Sequence, residues 1–151
     1  IYMLQGIIIF IIAVPVTLSI VFPSSTIHPL FFFIGAALWG IGFYFESVAD
    51  FELDRFIHDP SNKGKIMMSG LWHYSRHPNY FGESLMWWGI ATAGIGLSEV
   101  WFIGFISPVL ITFLLLKVSG VPLLEKRWQG NPAWEEYKKK TSVFIPLPPK
   151  R

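Results

Sequence analysis

The chain predicts an all-α fold, a polytopic membrane bundle of four transmembrane helices with a cytoplasmic loop and a short C-terminal amphipathic helix. Three observations carry that prediction. Of the 151 residues, 52% are hydrophobic and 17% aromatic, and the mean hydropathy of +0.48 exceeds that of an ordinary soluble domain. The apolar residues gather in four runs, 1–22, 30–50, 80–97 and 101–116, each close to the roughly 20 residues with which a helix crosses a hydrocarbon core of about 30 Å. Barrel strands do not account for them, because lipid-exposed β structure closes from short alternating segments. A single membrane domain over residues 1–151 follows, with a loop at 52–78 and a tail at 117–151.

The first run has no basic segment before it and is too long for a secretory leader core, so it reads as a true span. Ile1 is not an initiator residue, and upstream helices are therefore expected. Run two carries Glu46, Asp50 and Asp54 at intervals of four, a stripe along one helical face that leaves the bilayer edge and enters the loop. Its Gly40-Ile41-Gly42, like Gly94-Ile95-Gly96 in run three, is not a dinucleotide fingerprint, since no strand precedes it; both read as helix-packing surfaces. In the loop, Pro60 and Gly64 interrupt any helix continuing from run two. Pro78 fits the first turn of run three. In the tail, Asn131 caps a helix with Pro132 first, acids in the opening turn and Lys138, Lys139 and Lys140 in the last, before Ile145-Pro146-Leu147-Pro148-Pro149 turns extended.

Lys and Arg occur only between runs two and three and after run four, which places the 52–78 loop and the tail on the cytoplasmic side. A bacterial inner membrane is the expected location. Most of these basic residues serve as topology signals and anionic-lipid contacts. The lack of cysteine excludes disulfides and thiol catalysis. Lipid and a lipophilic small molecule are the expected partners, not nucleic acid.

The chemistry concentrates in residues 70–83, where Arg76, His77, Asn79, Tyr80 and Glu83 crowd the start of an apolar run. Charge beside hydrocarbon requires a partner, a cavity or a ligand. The start of a helix at Pro78 would put free amides and a partial positive charge beside Arg76 and His77, so an anion would bind there. Asn79 and Glu83 share a helix face, and Gly82 permits close approach of a ligand or helix. Alternatively Glu83 forms a helix-end salt bridge with Arg76 or His77, and Trp72, Tyr74 and Tyr80 are interfacial anchors. The acid stripe of run two is either solvated, paired with Arg55, Arg76 or Arg127, or suited to ribose and amide groups of a cofactor. His73 and His77 form an H-x-x-x-H pair, but a metal site needs more ligands than this chain supplies, and none is expected. Trp134 and Tyr137 lie at helical spacing and are expected either to clasp the tail helix over the site or to anchor it at the interface.

The run Ser75-Arg76-His77-Pro78-Asn79-Tyr80-Phe81-Gly82-Glu83, with Trp134, Tyr137 and the Phe144-Ile145-Pro146 ending, resembles the C-terminal half of the steroid 5-alpha-reductase and sterol-reductase superfamily, in particular its bacterial steroid-reductase-like membrane branch. The resemblance covers nearly all of the chain. It implies NADPH-dependent reduction of a conjugated C=C bond in a steroid-like or isoprenoid lipid. By motif, Asn79 and Glu83 would contact the nicotinamide end, with His77 and Tyr80 in the same cofactor-binding run. Asp50 and Glu46 would contact the cofactor's polar groups, and Arg76, Arg127 and Tyr137 its phosphates or adenosine portion. The carbonyl-polarising groups of steroid reductases lie on upstream helices, so the catalytic acid stays unassigned. Isoprenylcysteine carboxyl methyltransferases share the R-H-P-x-Y-x-G core and use S-adenosylmethionine, the alternative cofactor; Asn79 and Glu83 favour the reductases. A non-catalytic membrane scaffold is the second alternative.

Overall fold

The computed structural model describes residues 2–150, with side chains from Gly6 onward except at Pro15. Ile1 and Arg151, the expected start of the first span and end of the tail, lie outside the described residues. Among the described residues six α-helices follow in order: α1 Tyr2–Val21, α2 Pro29–His58, α3 Pro78–Ile95, α4 Ile106–Phe113, α5 Val121–Lys126 and α6 Pro132–Lys140. Short 3-10 turns lie at Pro60–Asn62, Gly70–His73 and Trp101–Phe105, and a π-helical turn at Leu114–Val118 joins α4 to the bend before α5. No strand forms among the described residues beyond two isolated bridges, Pro23 with Ser98 and Ser75 with Ser142.

Among the described residues two helical stretches are long and apolar enough to cross a membrane, Pro29–His58 and the nearly continuous run Trp101–Lys126. Only 11% and 17% of their apolar windows are buried. Phe33 is 67% exposed, whereas the core helix of a soluble domain would turn such residues inward. α1 contributes a shorter apolar stretch, Gly6–Val21. α3 is a helix, but Asn79, Glu83 and its glycines and serine dilute its apolarity below that of a spanning segment.

α2 outlasts the apolar run that ends at residue 50 and stops just before Pro60, the residue expected to interrupt it. It continues to His58, so the 52–78 loop opens with two helical turns. Charge ends an apolar run without ending a helix, and Glu52, Asp54 and Arg55 are tolerated on the helix surface. What stops α2 is local: the Asn62 amide donates to the Phe56 carbonyl (3.2 Å), and Pro60 begins a 3-10 turn capped by Asp59, which accepts from the Ser61 N–H (2.9 Å). Thirty residues make about 45 Å of helix, longer than a hydrocarbon core of about 30 Å.

The contacts gather into two compact units, residues 1–41 with 84–114, and residues 42–83 with 115–151. In the first, α1 packs on the Trp101–Phe105 turn and on α4, and Ser107 Oγ donates to the Ile12 carbonyl (2.8 Å). The α2 and α3 segments cross at Gly35 and Gly89, where a methyl on either would overlap the other's carbonyl oxygen. Ser84, Thr112 and Trp88 form a polar knot, Ser84 Oγ lying 2.6 Å from Thr112 Oγ1 and Trp88 Nε1 donating to it at 3.2 Å. The packing read into the two Gly-x-Gly sets holds at Gly42, buried with its carbonyl against Gly82, and at Gly96, which seats the His28 carbonyl, but not at Gly40, which faces open space, or Gly94, which meets only Ser19 Oγ at 3.8 Å.

In the second unit, Ala49, Met67 and Trp72 pack with Leu53, Phe56 and Leu71, and Ile66, Trp134 and Tyr137 pack with Trp128. Trp72 is therefore not an interfacial anchor: it is 8% exposed, and its indole N–H donates to the Ala49 carbonyl (3.0 Å). Tyr74, by contrast, is exposed.

Candidate functional site

The second unit holds every candidate residue. The end of α2 fixes the loop before α3. Glu52 accepts from the Leu71 N–H (2.9 Å), and its carboxylate fills the space a side chain at Gly70 would occupy; Gly70 also needs its positive φ of 60°. From there the chain turns through Ser75, Arg76 and His77, all buried, into Pro78 at the start of α3.

An anion does sit beside Arg76 and His77, but the protein supplies it. Glu125 Oε1 on α5 lies 3.0 Å from Arg76 Nε and 3.2 Å from His77 Nε2. The Arg76 contact is one of charge and not an aligned hydrogen bond. The guanidinium is further held by the Lys138 carbonyl, which accepts from Nη1 at 2.9 Å, and by the Trp134 ring, 5.8 Å from its centre. The alternative pairing of Glu83 with Arg76 or His77 is thus overturned. Burial pulls the proton affinity of His77 below its ordinary value; the hydrogen bond and charge of Glu125 oppose that pull and the charge of Arg76 reinforces it.

The tail clasps this loop. Tyr137, 6% exposed, donates its hydroxyl to the Trp72 carbonyl and lies 3.4 Å from that of Ser75. Burial raises the proton affinity of that phenol, Arg76 lowers it and Glu125 raises it, so the hydroxyl stays protonated. Ser75 Oγ donates to the Phe144 carbonyl (2.7 Å), the Arg76 N–H to that of Ser142 (2.8 Å), and the Leu147 N–H to that of Tyr74 (3.0 Å). Trp134 and Tyr137 are core residues, and interfacial anchoring is excluded for both. α6 starts as expected, Asn131 accepting from the Ala133 and Trp134 amides.

A second group faces the stripe of α2. Asn79 Nδ2 donates to Asp50 Oδ1 at 2.9 Å. Gly82 packs against the α2 backbone at Gly42 and Glu46, where any Cβ would collide with main chain. That approach brings Glu83 within reach of the charges of Glu46 and Asp50, and Tyr80 within reach of those of Asp50 and Glu83. Tyr80 stacks on His77, ring centres 5.6 Å apart and planes 8° from parallel. Two buried acceptor atoms here, Glu46 Oε2 and Asn79 Oδ1, have no hydrogen-bond partner. Arg55, Arg76 and Arg127 do not pair with the acids: Arg55 lies over the Phe51 ring at 5.7 Å, Arg76 is held by Glu125, and Arg127 is exposed. Asp54 pairs with His58 (3.2 Å).

The candidates thus divide. Glu46, Asp50, Asn79, Tyr80 and Glu83 form an acceptor-rich group, Arg76, His77 and Tyr137 hold the loop and tail, and Arg127 joins neither. Glu125 escaped the sequence reading. Its signal was a lone carboxylate in Val121-Pro122-Leu123-Leu124-Glu125, close after an apolar run and available to an arginine that needs a partner. Among the described residues no three His, Asp or Glu side chains converge to hold a metal; the exposed His73 ring packs edge-on to Tyr74, away from the buried His77.

Residues 1–141 match a family model described as "Protein of unknown function (DUF1295)". The chain belongs to the DUF1295 family. This DUF1295 chain is steroid 5-alpha-reductase-like, as the motif and tail implied. It is 32% identical to the 3-oxo-5-alpha-steroid 4-dehydrogenase 1 of Rattus norvegicus over 121 residues, 80% of this chain and 42% of that protein. The corresponding protein of Mus musculus is 34% identical over 80% of this chain and 43% of its own, and that of Homo sapiens 33% over 77% and 41%. The DUF1295 chain therefore spans about two fifths of the length of the curated relatives it matches. No solved structure matches it significantly.

Proposed function

We propose that the protein is an NADPH-dependent integral membrane reductase of a conjugated C=C bond in a steroid-like or isoprenoid lipid. In this reading α1, α2, α3 and the 101–126 run all cross a bacterial inner membrane, with the 52–78 loop and tail cytoplasmic. The steroid dehydrogenases among its relatives support the reaction class.

The observation that carries the cofactor assignment is the acceptor surplus around Asp50 and Asn79. Buried acceptors without donors cost free energy, and Glu46 Oε2 and Asn79 Oδ1 are two such atoms. They suit a ligand that brings N–H and O–H groups, as a carboxamide and ribose hydroxyls do. NADPH supplies a hydride when bound. Asp50, its carboxylate oriented by the Asn79 amide, accepts from ribose or amide donors together with Glu46, and Asn79 and Glu83 orient the nicotinamide end. Arg76, His77 and Tyr137 bind indirectly, by holding the loop from which α3 starts, and the exposed Arg127 is available to phosphate.

The test is thermal-shift binding to the whole detergent-solubilised protein with NADPH, NADH and S-adenosylmethionine, since a ligand of the folded state raises its stability by mass action. NADPH alone is expected to stabilise the protein, and Asn79→Ala and Glu83→Ala each to weaken that effect. Unchanged NADPH affinity in both variants overturns the nicotinamide assignment; a shift with S-adenosylmethionine alone moves the same residues to methyl transfer.

A further inference from the structure

The tail after α6 turns the usual burial pattern outward. Burial alternates along residues 142–147, and the less exposed set is fixed here. The Ser142 and Phe144 carbonyls accept from Arg76 N–H and Ser75 Oγ, and the Phe144 ring packs on Phe81 at 5.8 Å. Val143, Ile145 and Leu147 are thereby left on the other face, 38%, 56% and 52% exposed. Three apolar side chains in a row face outward from a segment that the protein grips firmly from behind.

Two further observations say what covers them. The first is a tether: α6 begins six residues after Lys126, the end of a stretch able to cross a membrane. At about 3.5 Å per residue the connection reaches no more than about 20 Å, which keeps the start of α6 close to the surface at which that stretch emerges, and the nine residues of α6, about 14 Å of helix, lead from there to this segment. The second is charge. Residues 138–140 are lysines, and the Lys150 N–H donates to the Lys140 carbonyl (2.9 Å), which brings a fourth lysine to the same end of the segment. Glu135 and Glu136 offset part of this charge, through contacts with Lys138 and Lys140 at 4.0 and 2.7 Å and through the charge of Lys139 on Glu136, so two carboxylates stand against four lysines here. Apolar side chains flanked by lysine are the composition of an interfacial membrane contact.

We infer that Val143, Ile145 and Leu147 form a membrane-docking edge, which seats in the headgroup and upper acyl region of an anionic lipid leaflet. The inference rests on the membrane reading above and not on the reductase assignment. The same backbone bonds that expose this edge hold Ser75 and Arg76, so docking ties the loop before α3 to the lipid surface.

This chain has no cysteine, which gives clean labelling provided that any cysteine elsewhere in the whole protein is replaced. The whole protein is reconstituted in nanodiscs of phosphatidylcholine with or without phosphatidylglycerol. Bimane is attached at Ile145→Cys, at Phe33→Cys as the lipid-facing reference on α2, and at Glu136→Cys as the solvent-facing reference on α6. Brominated acyl chains and aqueous iodide serve as the two quenchers. Expected is severalfold stronger quenching by bromolipid at 145 than at 136, with protection from iodide, both enhanced by phosphatidylglycerol. Iodide quenching at 145 equal to that at 136 overturns the inference while Phe33 still reports insertion. Shielding of 145 from both quenchers also overturns it, because protein then covers the edge. Absence of lipid quenching at Phe33 refutes the membrane reading itself and this edge with it.

Discussion

Removing the Glu125 carboxylate strands a buried guanidinium. Arg76 and Glu125 side chains are 8% and 16% exposed, with 3.0 Å between Nε and Oε1. The same oxygen holds His77 Nε2 at 3.2 Å. In Glu125→Ala, Arg76 keeps only the Lys138 carbonyl and the face of Trp134. Breaking a buried pair on one side costs about 3–5 kcal/mol, because the remaining charge stays desolvated. The surviving carbonyl bond and the slight exposure of Glu125 place this case at the lower end, about 3 kcal/mol. The assay is equilibrium unfolding in detergent micelles against Glu136→Ala, whose carboxylate makes a shorter contact, 2.7 Å to Lys140, but stands in solvent. That control is expected to show no measurable change. Replacing both partners, Arg76→Met with Glu125→Leu, should recover most of the loss, since no charge is then left buried. A loss in Glu125→Ala no larger than in Glu136→Ala would refute the reasoning.

Two other perturbations have definite signs. His77 is held neutral by burial against the pull of Glu125, so the unfolded chain binds more protons than the folded one between the lowered folded value and the ordinary value of about 6.5. Its contribution to stability is thus full above about pH 6.5 and falls on acidification through the window below; a pH series of melting temperatures should lose part of its acid slope in His77→Gln, and an unchanged slope counts against this account. Gly82→Ala forces a methyl into the α2 main chain at Gly42 and Glu46, with an overpacking cost of about 1–3 kcal/mol, whereas Gly40→Ala points into open space and should be neutral or slightly stabilising by thermal unfolding.

What could be read from the sequence was local, and what escaped it was distant. The start of α6 followed from six consecutive residues, Asn131 to Glu136, because a cap bonds amides two and three positions away. The stop of α2 at His58 was legible too, in the Pro60 expected to interrupt any helix continuing from run two; what hydropathy did not show is how far the helix runs past residue 50, because it reports the solvent around a helix and not its hydrogen bonds. Asp50 and Asn79 were each singled out, but nothing in the spacing of residues 29 apart foretells their hydrogen bond. Gly40 and Gly35 look alike as letters, yet only Gly35 meets another helix. Trp72 followed the same rule: a tryptophan near an apolar run is an anchor or a core residue according to whether a carbonyl such as that of Ala49 lies within reach of its N–H.

The tail's grip on the loop before α3 bears on when the site can form. Ser75 meets Phe144 across 69 positions, and Tyr137 meets Trp72 across 65. Contacts this far apart are made only after the loop-closure entropy between them has been met. A chain made from its amino end therefore presents Ser75, Arg76 and His77 long before their partners exist, and the loop that leads into the candidate site is ordered by a later segment of this sequence. A stop placed just before Ser142 would leave every acceptor of the Asp50 and Asn79 group encoded while removing the bonds of Ser142, Phe144 and Leu147 to the loop before α3.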